Sequence, residues 1–270
     1  MLSRGKTCGY LEILAIGRQS GHCCFMAEFD TNQDLRIDVT HFGNNREPVL
    51  IIDNFLANPR SVVNAAGRAT WNDAPPGGYP GIRAGLPREY VRSVLRRMDE
   101  PIKDTLLGPN TSLDTFSCSY SMVTRAPADL TAQQKVPHID VANPLRIAVL
   151  QYLCAETFGG TAFFRQNATG LEQISPKTRA QYQSARRSEL EHADGDISYP
   201  SAETHGYTRT GFVAARFNRL IAYRSCTLHS GIIDDPNALS DDPKTGRLTA
   251  NFFVDYSLAD NGETSAAKRN

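Results

Sequence analysis

The chain has 270 residues, 40% of them hydrophobic and 21% charged, with 29 basic and 29 acidic side chains. That length can bury a substantial core, and the balanced charge lacks the Lys/Arg excess that neutralises phosphate backbones, so nucleic acid is not an expected partner. No apolar run approaches the roughly 20 residues that cross a bilayer, and the N-terminus shows no signal-peptide pattern, so a cytoplasmic protein without a membrane partner is expected.

Residues 1–45 mix short apolar runs with polar turns such as Asp30-Thr31-Asn32 and read as a strand or hairpin appendage. Residues 48–52 form a β-like run. Asp53-Asn54 then leads into a helix through Pro59, Val62, Val63 and Ala66. The Gly- and Pro-rich stretch 72–87, with Tyr79-Pro80-Gly81-Ile82-Arg83 inside it, reads as loop, and 89–98 returns to helical spacing with Tyr90, Val94 and Leu95 on one face. From Ser117 onward, short runs rich in β-branched and aromatic residues predict strands at 116–123, 136–140, 146–153, 161–165, 220–228 and 248–255. Between the fourth and fifth lies an insertion, 166–217, with a polar helix over 176–191 and the composition of a lid or solvated elaboration. Residues 46–258 thus read as one domain, mainly β with flanking helices, followed by a flexible tail at 259–270. Six cysteines, at 8, 23, 24, 118, 154 and 226, show no C-x-x-C spacing and are expected as reduced thiols.

Within the strand-rich half, His138-Ile139-Asp140 is answered by His229 in Leu228-His229-Ser230-Gly231 and by Arg247 in Gly246-Arg247-Leu248-Thr249. Two imidazoles and one carboxylate are the donor set of the facial triad that holds non-haem Fe(II) and leaves positions open. Side chains at i and i+2 of a strand project together, so His138 and Asp140 share a side, as do Tyr223, Ser225, Thr227 and His229, and again Arg247, Thr249 and Asn251. A planar guanidinium with a neighbouring hydroxyl suits a carboxylate. Alone, a His-x-Asp pair usually caps or solvates a turn, and it is the joint order of motifs on strands that favours metal. Arg83, held by a rigid Pro-Gly turn, is a candidate substrate contact, with a surface salt bridge as the bland alternative. Tyr223 is a second candidate. His192 and His205 fall in the insertion, where solvated histidines are the default, and His22 and His41 carry no motif.

Pro137-His138-Ile139-Asp140, Leu150-Gln151-Tyr152-Leu153, Phe158-Gly159-Gly160-Thr161-Ala162-Phe163, Leu228-His229-Ser230-Gly231 and Gly246-Arg247-Leu248-Thr249 resemble the 2-oxoglutarate and Fe(II)-dependent oxygenases. The branch they look most like contains prolyl 4-hydroxylases and, within it, a group of poorly characterised bacterial proteins. The resemblance spans about 48–256. It implies a double-stranded β-helix, a cupin-like jelly-roll barrel, with His138, Asp140 and His229 as iron ligands and Arg247 with Thr249 on the distal carboxylate of 2-oxoglutarate. Tyr120 or Tyr152 would add a phenol hydrogen bond to the co-substrate, core packing being the alternative for both. One departure stands out: 18 positions separate His229 from Arg247, longer than the family usually shows, because an acidic, Pro-containing loop intervenes. The activity implied is hydroxylation of an amino acid, peptide residue or small natural product with release of succinate and carbon dioxide. The competing function is a cupin-like module that binds a metal or carboxylate without turnover.

Overall fold

A computed structural model of the protein describes residues 28–258, apart from 76, 77, 194, 196 and 197. It runs β1 (Arg36–Phe42), β2 (Glu47–Asp53), α1 (Pro59–Ala66), β3 (Asn72–Asp73), β4 (Gly81–Ala84), α2 (Arg88–Ile102) and β5 (Thr111–Val123). Then come β6 (Arg146–Tyr152), β7 (Gly160–Gln166), α3 (Arg179–Ala193), β8 (Tyr207–Ala214), β9 (Arg219–Arg224), β10 (His229–Ile232) and β11 (Arg247–Leu258). The strands make two antiparallel sheets, one of eight in the order β1-β2-β9-β6-β11-β5-β4-β3 and one of three in the order β10-β7-β8. The chain is thus mainly β with few helices.

Period-two alternation decides what each strand gives to either side of the large sheet. Leu248, Ala250, Phe252, Val254 and Tyr256 of β11, with Ile147 and Val149 of β6, join the core that α1 and α2 cover. The helices supply Val62, Tyr90, Val94 and Met98 to that core. On the other side, Ala148, Tyr152, Ile221 and Tyr223 meet Phe163 and Val213 of the small sheet. Beyond the small sheet, Tyr182 and Ala193 of α3 pack on Ala162 and Phe164. The result is a layered molecule: helices, large sheet, small sheet, helix. Each large apolar side chain so buried is worth about 1.5–3 kcal/mol, and a one-residue slip of β11 would exchange Arg247 for Leu248 across the sheet. Burial on both faces therefore sets the register.

Several sequence expectations change. The 72–87 segment is not all loop: β4 pairs with β5, Arg83 opposite Ser121. Gly81 makes this possible, since a Cβ there would collide with the Met122 carbonyl. Segment 136–140 is no ladder strand; it makes one isolated bridge, His138 with His229, because Pro137 has no N–H to donate. The run 220–228 breaks after Arg224, where a turn at Ser225 and Cys226 hands the chain from the large sheet to the small one. β1, from the segment read as a strand or hairpin appendage, is the outer edge of the large sheet, hydrogen-bonded along β2. β8 pairs along the length of β7, which confines the inserted chain to 167–206. Its helix α3, expected as part of a lid or a solvated elaboration, buries Tyr182, Glu189 and Ala193. Cys118, Cys154 and Cys226 are free thiols. Cys8, Cys23, Cys24 and the tail at 259–270 lie outside the described residues. Among the described residues no helix is long and apolar enough to cross a membrane.

Candidate metal centre

Backbone pairing draws the three predicted metal ligands together. His138 and His229 exchange both N–H···O bonds at 2.9 Å, and the Asp140 N–H donates to the Ser225 carbonyl at 3.0 Å. The imidazole rings stand 4.6 Å apart, and His229 Nε2 lies 3.8 Å from Asp140 Oδ2. One donor atom from each of the three falls within 4.8 Å of the others. Asp140 is exposed through its backbone, yet its side chain keeps only 17% of its surface; for the carboxyl's energetics the side-chain figure is the relevant one.

The protonation pattern suits a cation. His229 Nδ1 sits 2.8 Å from the Thr227 carbonyl, which can only accept, so Nδ1 carries the proton and Nε2 offers its lone pair toward Asp140. Burial drives the His138 imidazole well below its usual 6.5, with further like-charge contributions from His229 and Arg186. Burial also raises the Asp140 carboxyl above its usual range, against the opposing influence of His229, Ser225, Arg146 and Arg83. The Ser225 hydroxyl faces this carboxyl but falls outside hydrogen-bond geometry with any described group. A His138 imidazole and an Asp140 carboxyl whose charged forms burial disfavours, with His229 Nε2 turned toward them, make a donor set that a divalent ion would stabilise. The residues fit Fe(II).

These side chains line a cavity of about 530 Å³ between the sheets, and Arg247, Thr249 and Asn251 line it from β11. Arg247 is 3% exposed. Its Nε donates to the Phe158 carbonyl at 2.9 Å and its Nη2 to that of Gly160 at 3.0 Å. Gly159, between these two carbonyls, lets the turn pass close to the end of β10: its φ is +78° and a Cβ would strike the Ile232 carbonyl. Among the described residues Arg247 Nη1 has no hydrogen-bond partner, and no carboxylate pairs with this guanidinium. A buried cation held by neutral carbonyls is an anchor for an incoming carboxylate. Thr249 donates to the Ser121 carbonyl at 3.2 Å and accepts from Asn251 at 3.2 Å, so its proton is engaged. The long 233–246 connection does not displace the arginine.

The tyrosines divide by strand face. Tyr120 belongs to the helix-side core; its hydroxyl donates to the Val62 carbonyl at 2.7 Å and its ring packs on Trp71. This corrects its assignment to the co-substrate, and the reason is parity: Phe116, Cys118 and Tyr120 share one face of β5, while Ser119 and Ser121 take the other. Tyr152 faces inward, hydrogen-bonded at 2.6 Å to Thr161, which lines the cavity. Tyr223 lines the cavity with its ring edge-on to His229 at 4.9 Å. Arg83 also lines it, 5.1 Å over the Tyr79 ring. His192 and His205 stack on each other at 4.5 Å and do not line the cavity. Of the charged lining residues, sequence reasoning does not single out Arg186. Arg186 reaches the cavity from α3, and its signal was the i, i+4, i+7 spacing of Tyr182, Arg186 and Glu189 on an otherwise polar helix.

Residues 33–254 match the family described as "Family of unknown function (DUF6445)". The chain belongs to that family. Comparison with curated proteins finds no match. Among solved structures, the chain is similar to the non-heme alpha-ketoglutarate-dependent epimerase SnoN from nogalamycin biosynthesis, at 13% identity and TM-score 0.43, over 84% of this chain and 88% of that one. It is also similar to HygX from Streptomyces hygroscopicus with nickel and 2-oxoglutarate bound, at 11% identity and TM-score 0.40, over 73% and 77%. An N-substituted L-amino acid dioxygenase from Burkholderia ambifaria AMMD follows at 11% identity and TM-score 0.36, over 80% and 87%. At such identities and TM-scores, function has to come from the side chains of the site itself.

Proposed function

We propose that this chain is an Fe(II)- and 2-oxoglutarate-dependent oxygenase that hydroxylates an amino acid, peptide residue or small natural product, with release of succinate and carbon dioxide. It would act in the cytoplasm, with no nucleic-acid or membrane partner. The double-stranded β-helix barrel and the prolyl 4-hydroxylase-like branch are part of the same proposal and rest on the motifs quoted above. The observation that carries it is a single cavity holding both a His-Asp-His donor set within 4.8 Å and a buried arginine with no carboxylate of its own.

His138, Asp140 and His229 would hold the metal. Bound there with a chelating 2-oxo acid, Fe(II) supplies oxygen activation coupled to decarboxylation, chemistry that belongs to the cofactor. The chain supplies position. The Thr227 carbonyl keeps the His229 Nδ1 proton in place, so Nε2 stays available. Asp140 is tied down by its N–H to Ser225. Arg247 would take the distal carboxylate, oriented by its two carbonyl partners, with Thr249 beside it on the strand. Tyr223, Ala148 and Leu150 line the same cavity and would give the reacting region apolar walls.

Anaerobic titration with Fe(II) and then 2-oxoglutarate tests the proposal. A weak visible charge-transfer band is expected in wild type and not in His138→Ala. Its absence in wild type removes the basis for an oxygenase. A band without succinate formation on admitting air, whatever substrates are screened, would favour a binding module without turnover.

A further inference from the structure

Beyond the metal ligands and the Arg247 anchor, the cavity carries two more guanidinium groups. Arg83 enters from β4 and Arg186 from α3. The Arg83 side chain makes no hydrogen bond or ion pair to any described residue; it rests 5.1 Å over the Tyr79 ring, and its Nε is buried without a partner. The Tyr79 hydroxyl, on the same wall and beside Thr249, is likewise buried and falls outside hydrogen-bond geometry with any described group. Arg186 is held through Nη1, which donates to the Pro137 carbonyl and, at 2.8 Å, to the Tyr182 hydroxyl. Its remaining nitrogens have no partner among the described residues. Arg186 is thus braced on the residue that precedes His138, while the charge of Arg83 acts on Asp140.

Charge balance points the same way. Among the described lining residues, three arginines face one carboxylate, that of Asp140. A divalent ion and a dianionic co-substrate cancel each other, so two positive charges remain in excess over the cavity lining, the one on Arg186 offset in part by buried Glu189, which accepts from the Tyr207 hydroxyl that Arg186 Nη1 also reaches. A neutral or cationic substrate would leave them so.

We infer that the substrate of this site is a small molecule carrying an oxyanion, a carboxylate or a phosphate, bound by Arg83 and Arg186 beside the metal ligands. The inference rests on the proposed oxygenase function for its charge balance, though not for two lining guanidinium groups that no carboxylate pairs with among the described residues. A planar fork matches either oxyanion in two-point contact, and about 530 Å³ admits a metabolite or a short peptide end.

The test is a thermal-shift measurement on anaerobic, Fe(II)-loaded protein saturated with 2-oxoglutarate, so that Arg247 is occupied. Acetate and sulfate, the latter standing in for a phosphate group, are titrated against chloride at equal ionic strength. A probe at ten times its Kd should raise the Tm of wild type by about 3–5 °C. Arg83→Gln and Arg186→Gln should each remove most of that rise while keeping the rise caused by 2-oxoglutarate. Arg83→Lys, which keeps the charge and disturbs packing least, should weaken the probe response severalfold. A response to acetate alone identifies a carboxylate substrate, and one to sulfate alone identifies a phosphorylated one. No rise beyond chloride, or a rise that survives both Gln variants, overturns the inference and leaves the oxygenase function standing. So does loss of the 2-oxoglutarate response in Arg83→Gln, which would give that arginine to the co-substrate. If 2-oxoglutarate has no effect on wild type but the probe response disappears in the variants, the oxyanion subsite stands and the oxygenase function fails.

Discussion

Replacing Arg247 with Gln removes the buried positive charge and shortens the side chain by two bonds, while leaving His138, Asp140 and His229 untouched. Charge-assisted hydrogen bonds contribute about 1.5–3 kcal/mol each, so a two-point contact with the distal carboxylate of 2-oxoglutarate is worth roughly 3–6 kcal/mol. At about 1.4 kcal/mol per tenfold, the Kd for 2-oxoglutarate should rise about 10²- to 10⁴-fold. Fe(II) affinity should change little, because the donor atoms come from the 138–140 segment and β10. Arg247→Lys keeps the charge without the fork and should fall between the two. The variant also gives up the bonds to the Phe158 and Gly160 carbonyls, so its fold is checked first by circular dichroism. The assay is the anaerobic charge-transfer titration, Fe(II) first and 2-oxoglutarate second. A folded Arg247→Gln protein that binds 2-oxoglutarate within threefold of wild type would refute the argument that this buried, carboxylate-free guanidinium is the anchor.

Tyr120→Phe should lower stability by about 1–2 kcal/mol in urea denaturation, because the buried Val62 carbonyl loses its donor, and should leave the 2-oxoglutarate titration unchanged; a weakened titration would return Tyr120 to the site. Gly81→Ala should destabilise the β4–β5 pairing, where the new Cβ meets the Met122 carbonyl, and an unchanged Tm would show that this edge yields freely. Burial depresses the His138 pKa, so its contribution to the stability of metal-free protein is complete above the unfolded value of 6.5 and is lost as pH falls through the folded one. The Tm of metal-free wild type should therefore drop below pH 6.5 more steeply than that of His138→Gln, and parallel curves would contradict the assignment. Burial raises the Asp140 pKa, so Asp140→Asn should raise the Tm of metal-free protein at pH 7 while abolishing Fe(II) binding, measured by calorimetry; retained binding would remove Asp140 from the ligand set.

The sequence by itself determined the mainly β class, the two helices that cover the large sheet, and the donor types of the site, because these rest on local periodicity and on residue chemistry. Strand parity was legible only in part: the serines at 117, 119 and 121 set Tyr120 apart from a polar face, but its choice between core and co-substrate was settled by the pairing of β5 with β11, which puts it on the opposite face from Arg247, Thr249 and Asn251. Only the tertiary structure decided where the chain changes sheets. Pro137 keeps the His138 segment out of a ladder, and the turn after Arg224 moves His229 into the small sheet, so the two histidines meet across a bridge that no local pattern encodes. The same holds for Arg83, Arg186 and Arg247, which come from β4, α3 and β11 and share one cavity. Their convergence depends on the packing of the two sheets and α3, a long-range outcome that short-range propensities do not contain.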